Sequence, residues 1–433
     1  MKLSARIQSL TSSPIRKLSP YADAAKAKGK KIYHLNIGQP DIKTPDQFME
    51  SIRTYDEQVI AYGNSKGEGF LIEAIRKYYA EKGMDFAADD IFITNGGSEA
   101  LIFAVMALCD PGDEIMVFEP FYANYTTFAR EFGAKINAVQ TNVTDGYHLP
   151  DAAAIEAQIT PRTKAVLLTN PGNPTGVVYT QEEMDMISAI VRKYDLALIA
   201  DEVYREFVYD GAYRSFGTMP ELADNLIIID SVSKRYSACG ARIGCIINKN
   251  KELAKQIIKC CQSRLCSPIL EQVGAAALYT TPVSYLEEVN QEYKKRRDTI
   301  VAHEFLGASV EGKDVIIVDD MISSGESMLD TAKELKRMKA RKVFICTTFG
   351  LFTGGLKKFD EYYENGIIDR VLTTNLVYQT PELLSKPYYI NVDMSKYIAL
   401  IIDNLNHDAS LSDLLNPTGR INRLLAKYRA GER

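Results

Sequence analysis

Lys234 stands in the string SVSKRYSACGARIG (231–244), flanked by Ser231 and Ser233, with Arg242 eight positions further on. Lysine amines form imines with carbonyl compounds, and a guanidinium fork suits a phosphate dianion. Three other strings fit such a ligand. TNGGSEAL (94–101) leads a strand into a helix through Gly96 and Gly97, whose backbone can approach an anion closely, while Ser98 offers a hydroxyl and an N–H. NPGNPTG (170–176) is a rigid turn after an apolar run and carries Asn173. ADEVY (200–204) ends a strand in Asp201 and Glu202 and adds Tyr204. Each piece alone has a plain structural reading: a common strand–helix turn, a turn asparagine, a helix cap, a core tyrosine, a surface ion pair for Arg242. Their combination in this order is far more specific than any one of them.

The elements that must position these residues can be read from short apolar runs. IFIT (91–94), IMVF (115–118), AVLLT (165–169), LALIA (196–200), LIIID (226–230) and IGCIIN (243–248) read as buried strands. Helical patterns at 98–109, 181–194 and 250–265 lie between them, so an α/β domain with a mostly parallel sheet is expected. Residues 1–31 read as an arm or first helix, and 284–301 as a long charged helix. A second, smaller alternation follows: VIIVD (315–319), a Ser/Gly loop, a helix over 326–338, then KVFICTT (342–348), RVLTT (370–374) and YYINV. The change of character near 302 is abrupt.

Composition excludes several classes of protein. The 433 residues are 46% hydrophobic and 25% charged, as in an ordinary globular protein and unlike a disordered or fibrous one. A net charge of −5, from 51 Lys+Arg and 56 Asp+Glu, gives no global attraction for nucleic acid. Seven cysteines and four histidines, without a CxxC pair, predict reduced thiols in a cytoplasm and no metal site. The start MKLSARIQSLTSSP lacks the apolar core of a signal peptide, and no run approaches the ~18 apolar residues of a membrane span.

With LNIGQPDIKTP (35–45), YGNSKGEGFLIEAI (62–75) and EPFYANY (119–125), the four strings make residues ~1–301 closely resemble class I aminotransferases, which are fold type I pyridoxal phosphate enzymes. The resemblance implies a PLP-dependent transferase large domain over 46–285. Residues 1–45 would be an N-terminal arm and part of an incomplete small domain, and 286–301 a linking helix. It also implies roles. Lys234 would hold pyridoxal 5'-phosphate as a Schiff base, and Asp201 would lie at the pyridine nitrogen. Asn173 and Tyr204 would bond the phenolic oxygen, and Tyr122 would stack on the ring. Gly97, Ser98, Ser231, Ser233 and Arg242 would cradle the phosphate. Tyr62 would reach the phosphate of a neighbouring subunit, implying a homodimer with shared sites. Gly38 and Asn173 would line the substrate. The catalytic set implied is Lys234, Asp201 and Tyr204, acting on an L-amino acid and a 2-oxo acid.

VIIVDDMISSGESML (315–329) carries a second possibility. Asp319 and Asp320 could accept hydrogen bonds from two ribose hydroxyls, and Ser323, Ser324, Gly325, Glu326 and Ser327 could wrap a 5-phosphate. A strand leading into a capped helix explains the string equally well in isolation. Together with AHEFLG (302–307), LDTAKELKRM and CTTFGLFTGGLKKFDEYY, however, residues ~302–425 resemble the C-terminal part of a ribose-phosphate pyrophosphokinase. A partial phosphoribosyltransferase-like α/β unit over 302–433 is therefore expected. By the same resemblances, both families are truncated, joined near YKKRRD (293–298), which would suit either. The arginine that clamps a substrate carboxylate in such aminotransferases has no counterpart in context among Arg337, Arg341, Arg370, Arg420, Arg423, Arg429 and Arg433. The reading carried forward is an aminotransferase. The alternatives are a cofactor-binding chimera with impaired turnover and, with least support, an enzyme making phosphoribosyl pyrophosphate.

Overall fold

Seven strands of a computed structural model form one sheet in the first part of the chain: β1 (Ile91–Thr94), β2 (Glu114–Glu119), β3 (Lys135–Gln140), β4 (Thr163–Thr169), β5 (Ala197–Asp201), β6 (Leu226–Ser231) and β7 (Gly244–Ile247). The structure describes residues 2–8, 10, 18–32, 34, 38–301, 309–407 and 418–430. It divides into two units, 1–295 and 296–433. The strand order in the first unit is β1-β7-β6-β5-β4-β2-β3. β7 runs antiparallel to both neighbours, and the remaining pairs are parallel.

The apolar runs are continuous because both faces of this sheet are covered. Successive side chains of a strand point to opposite faces. Ile91, Ile93, Met116, Phe118, Leu198, Ala200 and Ile228 enter one core, with helices Gly69–Glu81 and Gln181–Lys193. Phe92, Ile115, Val117, Ile199, Ile227 and Ile229 enter the other, with helices Gly96–Leu108 and Lys251–Ser263. Helix Gln181–Lys193 starts at a capping box in which Thr180 and Glu183 each accept the other's backbone N–H. The strand β3, KINAVQ, does not stand out in the sequence. It pairs only with β2 at the sheet edge and is half polar, so it lacks the apolar run of its neighbours.

The second unit holds β8 (Asp314–Ile322), β9 (Lys342–Gly350), β10 (Arg370–Thr374) and β11 (Tyr389–Val392), all parallel, in the order β11-β10-β9-β8. Helices Glu326–Arg337 and Lys357–Glu364 share one core with Val343, Ile345 and Val371. Ile316 and Val318 on β8 do not join it: they are 60% and 78% exposed. AHEFLG (302–307) lies outside the described residues.

An exposed apolar edge strand is a template for self-association. Replacing Ile316 and Val318 together by lysine should lower light scattering at high concentration and shift stability by no more than about 0.5 kcal/mol, as surface substitutions do. A loss above about 2 kcal/mol in a denaturant melt would show that these side chains are packed.

Candidate active site

The candidate residues collect where β4, β5 and β6 end, at the carboxyl edge of the parallel strands, the usual ligand edge of open α/β sheets. Asp201, the last residue of β5, is only 5% exposed. Its Oδ2 accepts the Tyr125 hydroxyl at 2.7 Å, and its Oδ1 faces the Val203 N–H at 3.4 Å. Thr169, paired with Asp201 across β4 and β5, lies 2.6 Å from the same Tyr125 oxygen. Burial pushes the Asp201 carboxyl up to about 6, against the pull of these two hydrogen bonds, and the nearby Asp230 and Glu202 add to the rise.

Lys234 is the third residue of a four-residue helix, Val232–Arg235, that begins as β6 ends. Its Nζ donates to the Gly38 carbonyl at 2.7 Å and stands 5.9 Å from the centre of the Tyr204 ring. Asn173 Nδ2 donates to the Tyr204 oxygen at 3.3 Å. Burial, with Asp201 nearby, pushes the Tyr204 hydroxyl well above its ordinary value, so it is a donor at neutral pH. The Tyr122 ring meets Tyr125 edge-on at 5.4 Å, and its hydroxyl accepts from Asn124. Tyr125 thus touches both the carboxylate and the aromatic expected to lie on the ring.

The candidate anion cradle is built by close backbone approach. Gly96 has φ +79°, and a Cβ there would fall 2.4 Å from Arg242 Nη2. A Cβ on Gly244 would fall 2.6 Å from the Gly96 carbonyl carbon and 2.8 Å from the Gly97 nitrogen. Only glycine lets β7 lie against the start of helix Gly96–Leu108. Arg242 bonds the carbonyls of Cys239 (3.0 Å) and Asn95 (3.4 Å), which sets its guanidinium beside that helix start. Ser231 caps the Lys234 turn by accepting the Ser233 N–H at 3.3 Å. The buried Ser233 hydroxyl has no hydrogen-bond partner among the described residues. An orphan hydroxyl, first-turn N–H groups including those of Gly97 and Ser98, and an arginine together fit a phosphate.

Tyr62 is 83% exposed, beside the exposed Val59 and Ile60. Arg337 pairs with Glu334 and Arg341 with Asp314, while Arg370 bonds the Asp369 carbonyl. The side chains of Arg420, Arg423 and Arg433 lie outside those described. In the second unit Asp319 Oδ1 accepts the Asp320 N–H, Ser323 faces Thr353 at 3.5 Å, and Ser324 Oγ accepts the Glu326 N–H. Gly325 has φ +85°, and a Cβ there would strike the Phe359 ring. Glu326 is tied to Lys358. Ser327 follows in the first turn of the helix, its carbonyl accepting from Thr331.

Tyr125 is the site residue that motif reading passes over, although it closes EPFYANY. Its spacing of three from Tyr122 is the available signal, because such residues meet on one side of a helical turn. Arg264 is another. It joins Glu99, Ser267 and the carbonyls of Ser65 and Ile93, bracing the helix start from behind. Glu99 in turn accepts the Asn95 N–H at 2.7 Å.

The family model for aminotransferase class I and II matches residues 30–345, so the chain belongs to that family. The match runs past residue 301, the end that the sequence motifs suggest. The aspartate aminotransferase of Thermotoga maritima is 33% identical over 301 residues, covering 69% of this chain and 79% of its own length. A probable N-acetyl-LL-diaminopimelate aminotransferase of Bacillus subtilis is 33% identical over 303 residues, covering 69% and 75%. The structure of an alanine aminotransferase from Pyrococcus furiosus superposes with a TM-score of 0.65 at 34% identity, covering 69% of this chain and 78% of that one. The protein is therefore an aminotransferase of the type that uses pyridoxal 5'-phosphate. No helix among the described residues is long and apolar enough to cross a membrane.

A raised Asp201 carboxyl has a definite pH consequence. Its folded form binds a proton more tightly than the unfolded chain, so its contribution falls as pH rises from about 4 to about 6. Relative to Asp201→Asn, the cofactor-free wild type should lose up to about 3 kcal/mol of unfolding free energy between pH 4 and pH 7. Parallel denaturant melts of the two proteins check this. A constant difference would place the Asp201 carboxyl in its ordinary range.

Proposed function

We propose that the first unit binds pyridoxal 5'-phosphate with its ring nitrogen at Asp201, its ring face on Tyr122 and its phosphate in the Gly97–Ser98–Ser231–Ser233–Arg242 cradle. Lys234 is the amine that bonds to it, and the protein moves an amino group between an L-amino acid and a 2-oxo acid. The observation that carries this reading is the buried Asp201 carboxylate on the strand next to the one that delivers Lys234. When bound, the cofactor supplies a cationic ring that accepts the electron pair left by loss of an α-proton.

The chain's own residues do the rest. The Asp201 charge favours a protonated ring nitrogen beside it, and Tyr125 and Thr169 hold that carboxylate in place. Tyr204 and Asn173 present an O–H and an N–H to the phenolic oxygen. Arg242 and the backbone of the Gly96–Gly97 turn neutralise the phosphate. Lys234 Nζ, once the substrate nitrogen has taken its place, moves a proton between the substrate Cα and the cofactor carbon. Gly38, whose carbonyl orients that amine, lines the substrate side with Asn173. L-Aspartate is the first donor to assay, because the Thermotoga relative is an aspartate aminotransferase. Exposed Val59, Ile60 and Tyr62 support a homodimer in which Tyr62 serves the partner's phosphate. Seven unbridged cysteines suit a cytoplasmic location.

Purified protein mixed with pyridoxal phosphate should turn yellow, and borohydride should fix the label on the peptide containing Lys234. L-Aspartate with a 2-oxo acid acceptor should then yield the new amino acid. A colourless protein, or a label on another lysine, would contradict the assignment.

For the second unit, we propose a partial phosphoribosyltransferase-like fold whose loop from Asp319 to Ser327 takes ribose 5-phosphate. The left-handed Gly325 at the helix start and the paired acids within β8 support it. Titration calorimetry with ribose 5-phosphate should give heat that Gly325→Val abolishes, and no heat with the wild type would end this reading.

A further inference from the structure

The side chain that follows Lys234 is fully buried, while that of Lys234 is only partly so. Arg235 and Asp230 are both 0% exposed, and Arg235 Nη2 meets Asp230 Oδ2 at 2.5 Å. Asp230 lies on β6 just before Ser231, and Arg235 closes the four-residue helix, so the pair spans the turn that carries Lys234. The same carboxylate accepts the Ser231 backbone N–H at 2.8 Å on Oδ1 and the Tyr79 hydroxyl at 3.0 Å on Oδ2. The Arg235 guanidinium lies 4.2 Å from the centre of the Tyr78 ring and 5.8 Å from that of Tyr236. A second pair sits alongside: Arg205 is 3.4 Å from Glu202, the neighbour of Asp201, and 4.7 Å from the Tyr79 ring.

One turn of helix is too short to fix its own orientation, because nucleation is unfavourable without outside contacts. Consecutive residues on it diverge by roughly 100°, since a turn takes about 3.6 residues. Pinning Arg235 inward therefore sets the direction in which Lys234 leaves. A buried ion pair adds little net stability over apolar side chains of the same volume, since desolvation offsets the attraction. What it adds is one defined geometry, with both ends of the segment tied to a single carboxylate.

We propose that Asp230 and Arg235 are positioning residues that aim the Lys234 amine at the cofactor carbonyl. This rests on the reading that Lys234 bonds to pyridoxal phosphate. The test compares the full-length wild type with Asp230→Leu/Arg235→Met, which replaces the pair by apolar side chains, and with Arg235→Lys. Affinities are measured for pyridoxal phosphate and for pyridoxamine phosphate, which carries an amine and cannot bond to Lys234. In the double variant, pyridoxamine phosphate affinity should stay within about twofold. Pyridoxal phosphate affinity and the rate of cyanoborohydride fixation on Lys234 should fall by about tenfold or more. Arg235→Lys, which keeps the charge but not the planar fork, should show an intermediate fall in the same ratio.

Equal losses for both ligands, or an unchanged ratio, would overturn the proposal and leave the pair a purely structural role. If the double variant does not fold, the ratio in Arg235→Lys decides alone. A wild type that binds neither ligand would instead defeat the proposed function.

Discussion

A carboxylate placed where its own charge is disfavoured is the constraint around which the first unit is arranged. Asp201 sits at the buried end of a central parallel strand, and Asp230 and Glu202 repel a negative charge there. Two hydrogen bonds only partly compensate. A cation of the size and planarity of a pyridinium answers this arrangement, because an opposite charge at contact distance favours the charged form of the carboxylate.

The sheet supplies the precision such a contact needs. β4, β5 and β6 are adjacent, parallel and covered on both faces, so their ends cannot drift relative to one another. Thr169, Asp201 and Ser231 are the last residues of those three strands. Lys234 and the proposed anion cradle lie on short segments anchored to them. Gly244 lets β7 press against the Gly96–Gly97 turn, and Arg264 braces the same turn through Glu99. The site is loop-borne in sequence but rigidly framed in space.

Much of this was legible from residue order alone. Uninterrupted apolar runs marked β1, β2, β4, β5, β6 and β7, because each is buried on both faces. The half-polar edge strand β3 gave no such signal. The candidate residues Lys234, Asn173, Tyr204 and Arg242 stand in strings that punctuate strands, which makes them readable as candidates. The residues that steady them are not, since Tyr125, Asp230, Arg235 and Arg264 act through contacts between positions far apart in the chain or through a side chain that turns away from the ligand. A buried arginine next to a half-buried lysine looks like any basic pair until the direction of each side chain is known. The sequence motifs also set the end of the aminotransferase likeness at 301, short of the family match to 345, because the strings that follow, VIIVDDMISSGESML foremost, resemble a different family.

A crystal structure of the protein with pyridoxal phosphate tests the central claim most directly. The account requires continuous density from Lys234 Nζ to the cofactor and a ring nitrogen about 3 Å from an Asp201 oxygen. A cofactor bound through another amine, or a ring nitrogen turned towards solvent, would contradict it.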